Sequence, residues 1–188
     1  MIMEFKIGNI KPSYNMAVIE GDLYTAKDAM RIEKHNIDVI QLNTGGLCYL
    51  DAGMISASLL NFKEGWEHTE SIVTPLPMGK YNLPRTSVTG NTKYKDKRIN
   101  MEFKVKEGKR MILCNFKNFH EGKDFSCKIV LDEPKMDSMG IATPFEKDKH
   151  FYYNQKINCL RAEGRVEYEG EEYLFAPAHS FAVLDWGR

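Results

Sequence analysis

With 188 residues, the chain has the length of one domain, or of one domain and part of another. Its 26 basic and 26 acidic side chains cancel, which argues against general binding to nucleic acid or to an anionic membrane, because both need a basic surplus. No apolar run reaches the roughly 18 residues that a membrane helix needs, and the early Glu4 argues against a signal peptide. We therefore expect a cytoplasmic protein.

The first part of the chain gives strand-like runs and one weak helix signal. Residues 14–19 are apolar enough for a strand. Thr25 and Asp28 resemble a capping box and predict a short helix over residues 25–34, the only helix that the sequence suggests. Further strand-like runs, separated by turns that contain glycine, cover residues 36–42, 47–53, 54–62 and 66–73.

The middle of the chain gives the clearest signal. Apolar and polar residues alternate over residues 99–106, 111–116 and 125–132, which predicts strands with one buried face. Glu107-Gly108 and Glu121-Gly122 lie between these runs and predict tight turns. The sequence therefore predicts a three-stranded antiparallel meander.

The last part of the chain continues this pattern. Strands are predicted over residues 139–145, 151–153, 161–168, 172–175 and 180–186. Many short strands with frequent turns and almost no helix predict an all-β fold, an antiparallel barrel or sandwich with at most the one short helix. A barrel of this size can hold one small apolar ligand.

The cysteines and histidines form no recognisable metal or redox motif. Without CxxC spacing, the four thiols are expected to be free and buried, and these are Cys48, Cys114, Cys127 and Cys159. The histidines lack the spacing of metal ligands, so we predict neither a metal nor a cofactor. His179 is singled out because it precedes the last predicted strand and is near Asp185 in sequence.

The densest polar and aromatic cluster lies in residues 151–188. Its aromatic and amide side chains could cap a barrel end by side-chain to backbone hydrogen bonds, or they could line the mouth of a pocket. Asp185 could pair with Arg188 as a structural ion pair, or it could act as an acid in a site. Asp185 is thus the candidate catalytic residue, and the candidate ligand-binding residues are Tyr152, Tyr153, Gln155, Asn158, His179, Trp186 and Arg188.

This segment resembles the bacterial domain-of-unknown-function family 2804. The likeness is carried by residues 154–160, 162–164 and 181–188, whose order and spacing follow the family's "KxNC-x-x-A-x-G" and "SF-x-x-LD-x-GRG-x-W" segments. Val73-Thr74-Pro75 is similar to the family's threonine-proline corner, and Arg161 stands where family members often carry proline.

The resemblance implies an architecture and a ligand class. Family members are longer and distantly similar to lipocalin-like two-domain proteins that include carotenoid hydratase and tocopherol cyclase. The resemblance therefore implies that residues 1–188 are one β domain, the N-terminal half of a two-domain protein. Residues 151–188 would lead towards a missing C-terminal domain, which would be a partner of this one.

Three functions follow as hypotheses. The first is a binding module for an apolar small molecule such as a lipid or an isoprenoid. The second is an acid-catalysed hydratase or cyclase, in which Asp185 protonates an alkene while Trp186 and the tyrosines stabilise the cation. The third is a structural or interaction domain, in which an exposed apolar surface could also drive a homodimer.

Overall fold

The structure is a computed structural model that describes residues 2–4, 17–20, 38–44, 52–61, 65–75 and 84–187, with burial and side-chain contacts for residues 55–59, 65–74 and 84–187. All regular structure in these ranges is β-strand, which confirms the predicted all-β class. The helix predicted over residues 25–34 lies outside the described residues.

Thirteen strands are present in the described ranges. They are β1 (Ile2–Glu4), β2 (Ala17–Glu20), β3 (Asp38–Thr44), β4 (Ala52–Asn61), β5 (Trp66–Pro75), β6 (Thr92–Lys95), β7 (Ile99–Lys106), β8 (Lys109–His120), β9 (Lys123–Asp132), β10 (Met139–Pro144), β11 (Phe151–Tyr168), β12 (Glu171–Phe175) and β13 (Phe181–Gly187). They form one sheet in the order β5-β4-β3-β1-β13-β11-β9-β8-β7-β6. β10 and β12 each pair with β11, and β2 pairs with β3.

The predicted meander is confirmed in β7, β8 and β9. The two turns that join these strands, and the turn between β11 and β12, each consist of a glutamate followed by a glycine, both with positive φ, at Glu107-Gly108, Glu121-Gly122 and Glu169-Gly170. Positive φ at both central residues defines the type I′ turn, whose twist matches that of the flanking strands.

One apolar core lies on a single face of this sheet. Strands from both ends of the strand order contribute to it, from Leu59 on β4 to Phe116 on β8 and Leu184 on β13. Large side chains, among them Phe119 and Phe125, are completely enclosed. In the described part of the chain the core is therefore packed by the protein's own side chains.

Side chains bring the two ends of the strand order together. Thr74 on β5 lies 3.3 Å from the hydroxyl of Tyr94 on β6, measured between their oxygens. Arg98 forms a 3.1 Å ion pair with Glu70 of β5. No backbone ladder joins β5 to β6 among the described strands, so the sheet curls on itself without becoming a closed barrel, which is one of the two architectures, barrel or sandwich, that the sequence predicts. The distinction follows from hydrogen-bond pairing, which alternation along a sequence does not report.

Two further sequence predictions need correction. The pairing is not wholly antiparallel, because β2 and β3 run parallel. Residues 151–153 and 161–168 are not separate strands, because both belong to β11. A one-residue register shift between Ile157 and Leu160 interrupts the alternation there while the strand continues.

The cysteine prediction is confirmed in part. Cys114 and Cys127 lie opposite each other on β8 and β9 and are buried free thiols. Cys159 is exposed, contrary to the prediction, because it sits in the register shift of β11 with a φ of 59°. Cys48 lies outside the described residues.

Candidate functional site

The register between β11 and β13 positions the candidate residue Asp185. Lys156 is opposite Asp185, and Asn154 is opposite Gly187. Cross-strand partners share a face of the sheet, so these side chains converge. Lys156 Nζ and Asn154 Nδ2 donate to the two carboxylate oxygens of Asp185, one each. Tyr152 covers Gly187, where a Cβ would overlap the tyrosine hydroxyl.

Asp185 forms an ion pair with Lys156, while Arg188 lies outside the described residues, so the pair of Asp185 with Arg188 stays a prediction. Only 15% of the Asp185 side chain is exposed, so Lys156 and Asn154 stabilise its negative charge more than water does. We infer that this cluster ties the end of β13 to β11.

The opposite face of the same strands carries the other candidates. Tyr153 and Trp186 make an edge-to-face contact with ring centroids 6.1 Å apart. Gln155 accepts a 2.6 Å hydrogen bond from the Ser87 hydroxyl and donates a 2.7 Å one to Ser138. These bonds fasten the segment around Ser87 to β11. Both are side-chain to side-chain bonds, not the side-chain to backbone bonds that would cap a barrel end.

The remaining candidates lie apart from Asp185. Asn158 is exposed in the register shift of β11. His179 is exposed in the turn that precedes β13, and its backbone N–H bonds to Ala176 O at 2.9 Å. That turn is at the opposite end of β13 from Asp185, and the first strand residue after it, Phe181, is about 13 Å from Asp185 along an extended strand. The structure therefore does not unite His179 with the other candidates.

An exposed apolar surface covers the hairpin of β10 and β11. On one face it consists of Met139, Ile141 and Phe145, with Tyr152 beside them, and on the other face of Phe151 and Tyr153. About half of the surface of Met139, Phe145 and Phe151 remains exposed, at 55%, 51% and 55%. Single exposed apolar residues are ordinary, whereas several on both faces of one hairpin are a feature that binding surfaces share. We call these six residues the hairpin surface.

A separate open cleft of about 740 Å³ lies between β8, β9 and the turn after β11. Phe116, Phe125 and Tyr168 line it together with charged residues, including Lys117 and Glu167. Burial, with the nearby charge of Glu169 as a smaller cause, raises the pKa of the Tyr168 phenol. The cleft is open and carries charges, so it does not have the enclosed apolar character of a lipid pocket.

The sequence analysis did not foresee that two histidines meet near this cleft. His68 of β5 and His120 of β8 stack with ring centroids 3.3 Å apart, and Trp66 stacks on His68 at 4.6 Å. Burial and the charge of His120 lower the pKa of His68. The two histidines are far apart in sequence, and no spacing rule joins them.

A second feature that the sequence analysis missed is a buried arginine. Arg110 is only 1% exposed, donates a 2.6 Å hydrogen bond to Ser87 O and forms a 3.0 Å ion pair with Glu133. The alternation of β8 could have revealed it, because Arg110 shares the inward phase of Ile112 and Cys114. Through Ser87, this ion pair connects to Gln155 on β11.

Neither a metal site nor a membrane-spanning helix is found in the described ranges. No group of three or more His, Cys, Asp or Glu side chains there is placed to hold a metal ion. The same residues include no helix long and apolar enough to cross a membrane.

The comparison with protein families decides the classification. The family model described as Domain of unknown function (DUF2804) matches residues 40–188. The chain belongs to the DUF2804 family. The DUF2804 match includes β4 to β13 and hence the whole hairpin surface and the Asp185 cluster. No solved structure matches the chain.

A partial similarity to curated proteins of another kind accompanies the DUF2804 match. The chain is 42% identical to a probable hydrogenase maturation factor HypB of Methanocaldococcus jannaschii over 66 residues, 34% of this chain and 30% of the relative. It is 51% identical to hydrogenase maturation factor HypB of Escherichia coli K12 over 47 residues, 25% of this chain and 16% of the relative. The chain thus spans less than a third of the length of these relatives.

Proposed function

We propose that this protein is a non-catalytic β-sheet interaction domain whose hairpin surface packs against another β-sheet domain. The observation that carries the proposal is the contiguous exposure of apolar side chains on both faces of the β10–β11 hairpin, including Met139, Phe145 and Phe151. Because these side chains are already about half buried, covering the remainder is favourable by about 1 kcal/mol each, so an uncovered hairpin gains from a partner.

The rigidity of the hairpin's base supports the same function. β13 and the Asp185 cluster hold the first half of β11 on one side, and the Gln155 bonds hold it to the segment around Ser87. A surface on a fixed base loses little conformational entropy on binding. The likeness to two-domain lipocalin-like proteins implies the same kind of partner, a second β domain.

Footprinting with hydroxyl radicals tests this function. Met139, Phe145 and Tyr152 are compared in cells that naturally make the protein and in dilute purified protein, with Leu174 of β12, which is 73% exposed, as the internal reference. We expect labelling of the hairpin surface, relative to Leu174, to be several-fold lower in cells. Equal relative labelling in both samples would contradict the proposal.

An apolar small molecule is the second candidate for this surface. A lipid or isoprenoid could lie along Phe151 and Tyr153, over the ring of Trp186. Native mass spectrometry after incubation with a cell lipid extract tests it, and a Phe151→Ser variant is the control. A retained mass that the variant loses supports a ligand, while two spectra without added mass argue against one.

The hydratase or cyclase hypothesis has less support. It needs a protonated Asp185 beside a cavity, whereas both oxygens of that carboxylate accept bonds from Lys156 and Asn154. The cleft described above is lined by residues of β8, β9 and the far end of β11, and Asp185 is not among them. The similarity to HypB covers too little of either protein to add hydrogenase maturation to the proposal.

A further inference from the structure

The backbone hydrogen bonds of β10 follow a simple alternating pattern. Among the described strands, β10 pairs only with β11. Phe145 N–H, one residue beyond β10, bonds to His150 O at 3.0 Å in line with that ladder. Because backbone bonds alternate in direction along an antiparallel strand, the peptide groups of Ile141 and Thr143 point to β11. Those of Gly140 and Ala142 then point outward.

Pro144 marks the end of this outward edge. It has the same phase as Gly140 and Ala142, so its missing N–H faces away from the ladder, where proline is tolerated. The outward edge therefore offers complete peptide groups at Gly140 and Ala142 and ends at Pro144. An exposed, uncharged edge of this kind is a template for pairing with another strand.

The charge pattern around β10 favours a second copy of the same chain as that strand. Residues 138–145 carry no charged side chain. Lys135 and Asp137 precede them and cancel, and the four charged residues 146–149 that follow also cancel. Two antiparallel copies therefore align neutral flanks, and the chain as a whole has a formal net charge of zero, so long-range repulsion does not oppose association.

We propose that two copies of this protein associate through antiparallel pairing of their β10 edges, with Ile141 on the two-fold axis; this rests on the proposed interaction function and names its partner. In this register Gly140 of each copy lies opposite Ala142 of the other, and every outward donor and acceptor of these residues is paired. The two Ile141 side chains meet at a non-hydrogen-bonded position, where strands approach most closely. Met139 of each copy lies opposite Thr143 of the other.

The first test is the mass of the purified protein by light scattering over roughly a hundredfold range of micromolar concentrations. We expect the mass to rise from 21.7 kDa towards twice that value. Ala142→Pro removes an outward N–H that β11 does not use, so it should leave the hairpin folded and the protein monomeric at all concentrations. Leu174→Lys, which changes an exposed apolar residue on β12, is the matched control and should still dimerise.

The second test fixes the register. The background is Cys48→Ser, Cys159→Ser, which removes the exposed thiol of the described residues and the cysteine outside them. In it, Ile141→Cys should form a disulfide-linked dimer under mild oxidation, because facing residues at non-hydrogen-bonded positions lie within disulfide reach. Leu174→Cys should remain uncrosslinked. An unchanged monomer mass together with no cross-link at residue 141 would overturn the proposal. If footprinting in cells nevertheless protects the hairpin surface, the interaction function stands with a different partner. If the protein dimerises but Ile141→Cys does not cross-link, the proposed register is wrong.

Discussion

Glu133 provides a direct test of how the buried Arg110 is stabilised. Glu133→Ala removes the carboxylate 3.0 Å from Arg110 and leaves an arginine with 1% exposure without its counter-charge. Breaking a fully buried pair costs about 3 to 5 kcal/mol. Because 27% of the Glu133 side chain is exposed and water screens part of the interaction, we expect the free energy of unfolding to fall by about 2 to 3 kcal/mol.

The double variant Arg110→Met, Glu133→Ala separates charge burial from loss of contacts. Methionine fills much of the arginine's volume without a charge, so the double variant buries no unpaired charge, although it lacks the charge-assisted hydrogen bond to Ser87 O. Urea unfolding followed by tryptophan fluorescence measures both variants. The double variant should be more stable than Glu133→Ala alone. If Glu133→Ala changes stability by less than about 0.5 kcal/mol, or if the double variant is the less stable of the two, buried charge does not govern this part of the core.

Three further predictions concern other parts of the sheet. A maleimide should label Cys159 in the native protein and reach Cys114 and Cys127 only after unfolding, because both are buried and the contact with Cys127, together with burial, raises the pKa of Cys114. Mass spectrometry of tryptic peptides measures the labelling, and fast native labelling of either buried thiol would contradict the prediction. The pKa of His68 is lowered in the folded state, so below about pH 7 the unfolded chain binds more protons than the folded protein does, and stability should fall as the pH falls until His68 is protonated in both states. His68→Gln should flatten a plot of urea midpoint against pH, and an unchanged slope would exclude this histidine as the cause of the pH dependence. Gly164→Ala should lower the free energy of unfolding by about 3 kcal/mol, because φ is +143° and a Cβ would overlap the backbone of β9. The control Gly170→Ala, with open space around it, should lose only the turn preference of about 1 kcal/mol, and calorimetry that finds equal losses for both variants would refute the steric explanation.

The part of the fold that the sequence predicts is the part set by local rules. The strands β7 to β9 follow from alternation, and the glutamate-glycine turns follow from the demand for positive φ at tight hairpins. The continuity of β11 was missed because the register shift at residues 158–159 breaks the two-residue period that reveals a strand.

The candidate site is predicted less well, for a physical reason. Tyr153 and Trp186, two of the candidate residues, make an edge-to-face contact. The partner of Asp185, however, depends on the register between β11 and β13, which places Lys156 opposite it. The contact of His68 with His120 depends on the curling of the whole sheet. Register and curvature are properties of several strands at once, so one sequence pattern does not contain them.

The register shift in β11 also bears on how the sequence can change over evolution. Ile157 and Leu160 are three positions apart and both are buried, because the shift absorbs one extra residue. Loss of one residue there would restore simple alternation and leave both halves of the strand on their present faces. Loss of one residue elsewhere in β11 would turn a row of side chains from the core to the solvent. Among related sequences, variation in the length of β11 should therefore be confined to residues 158–159.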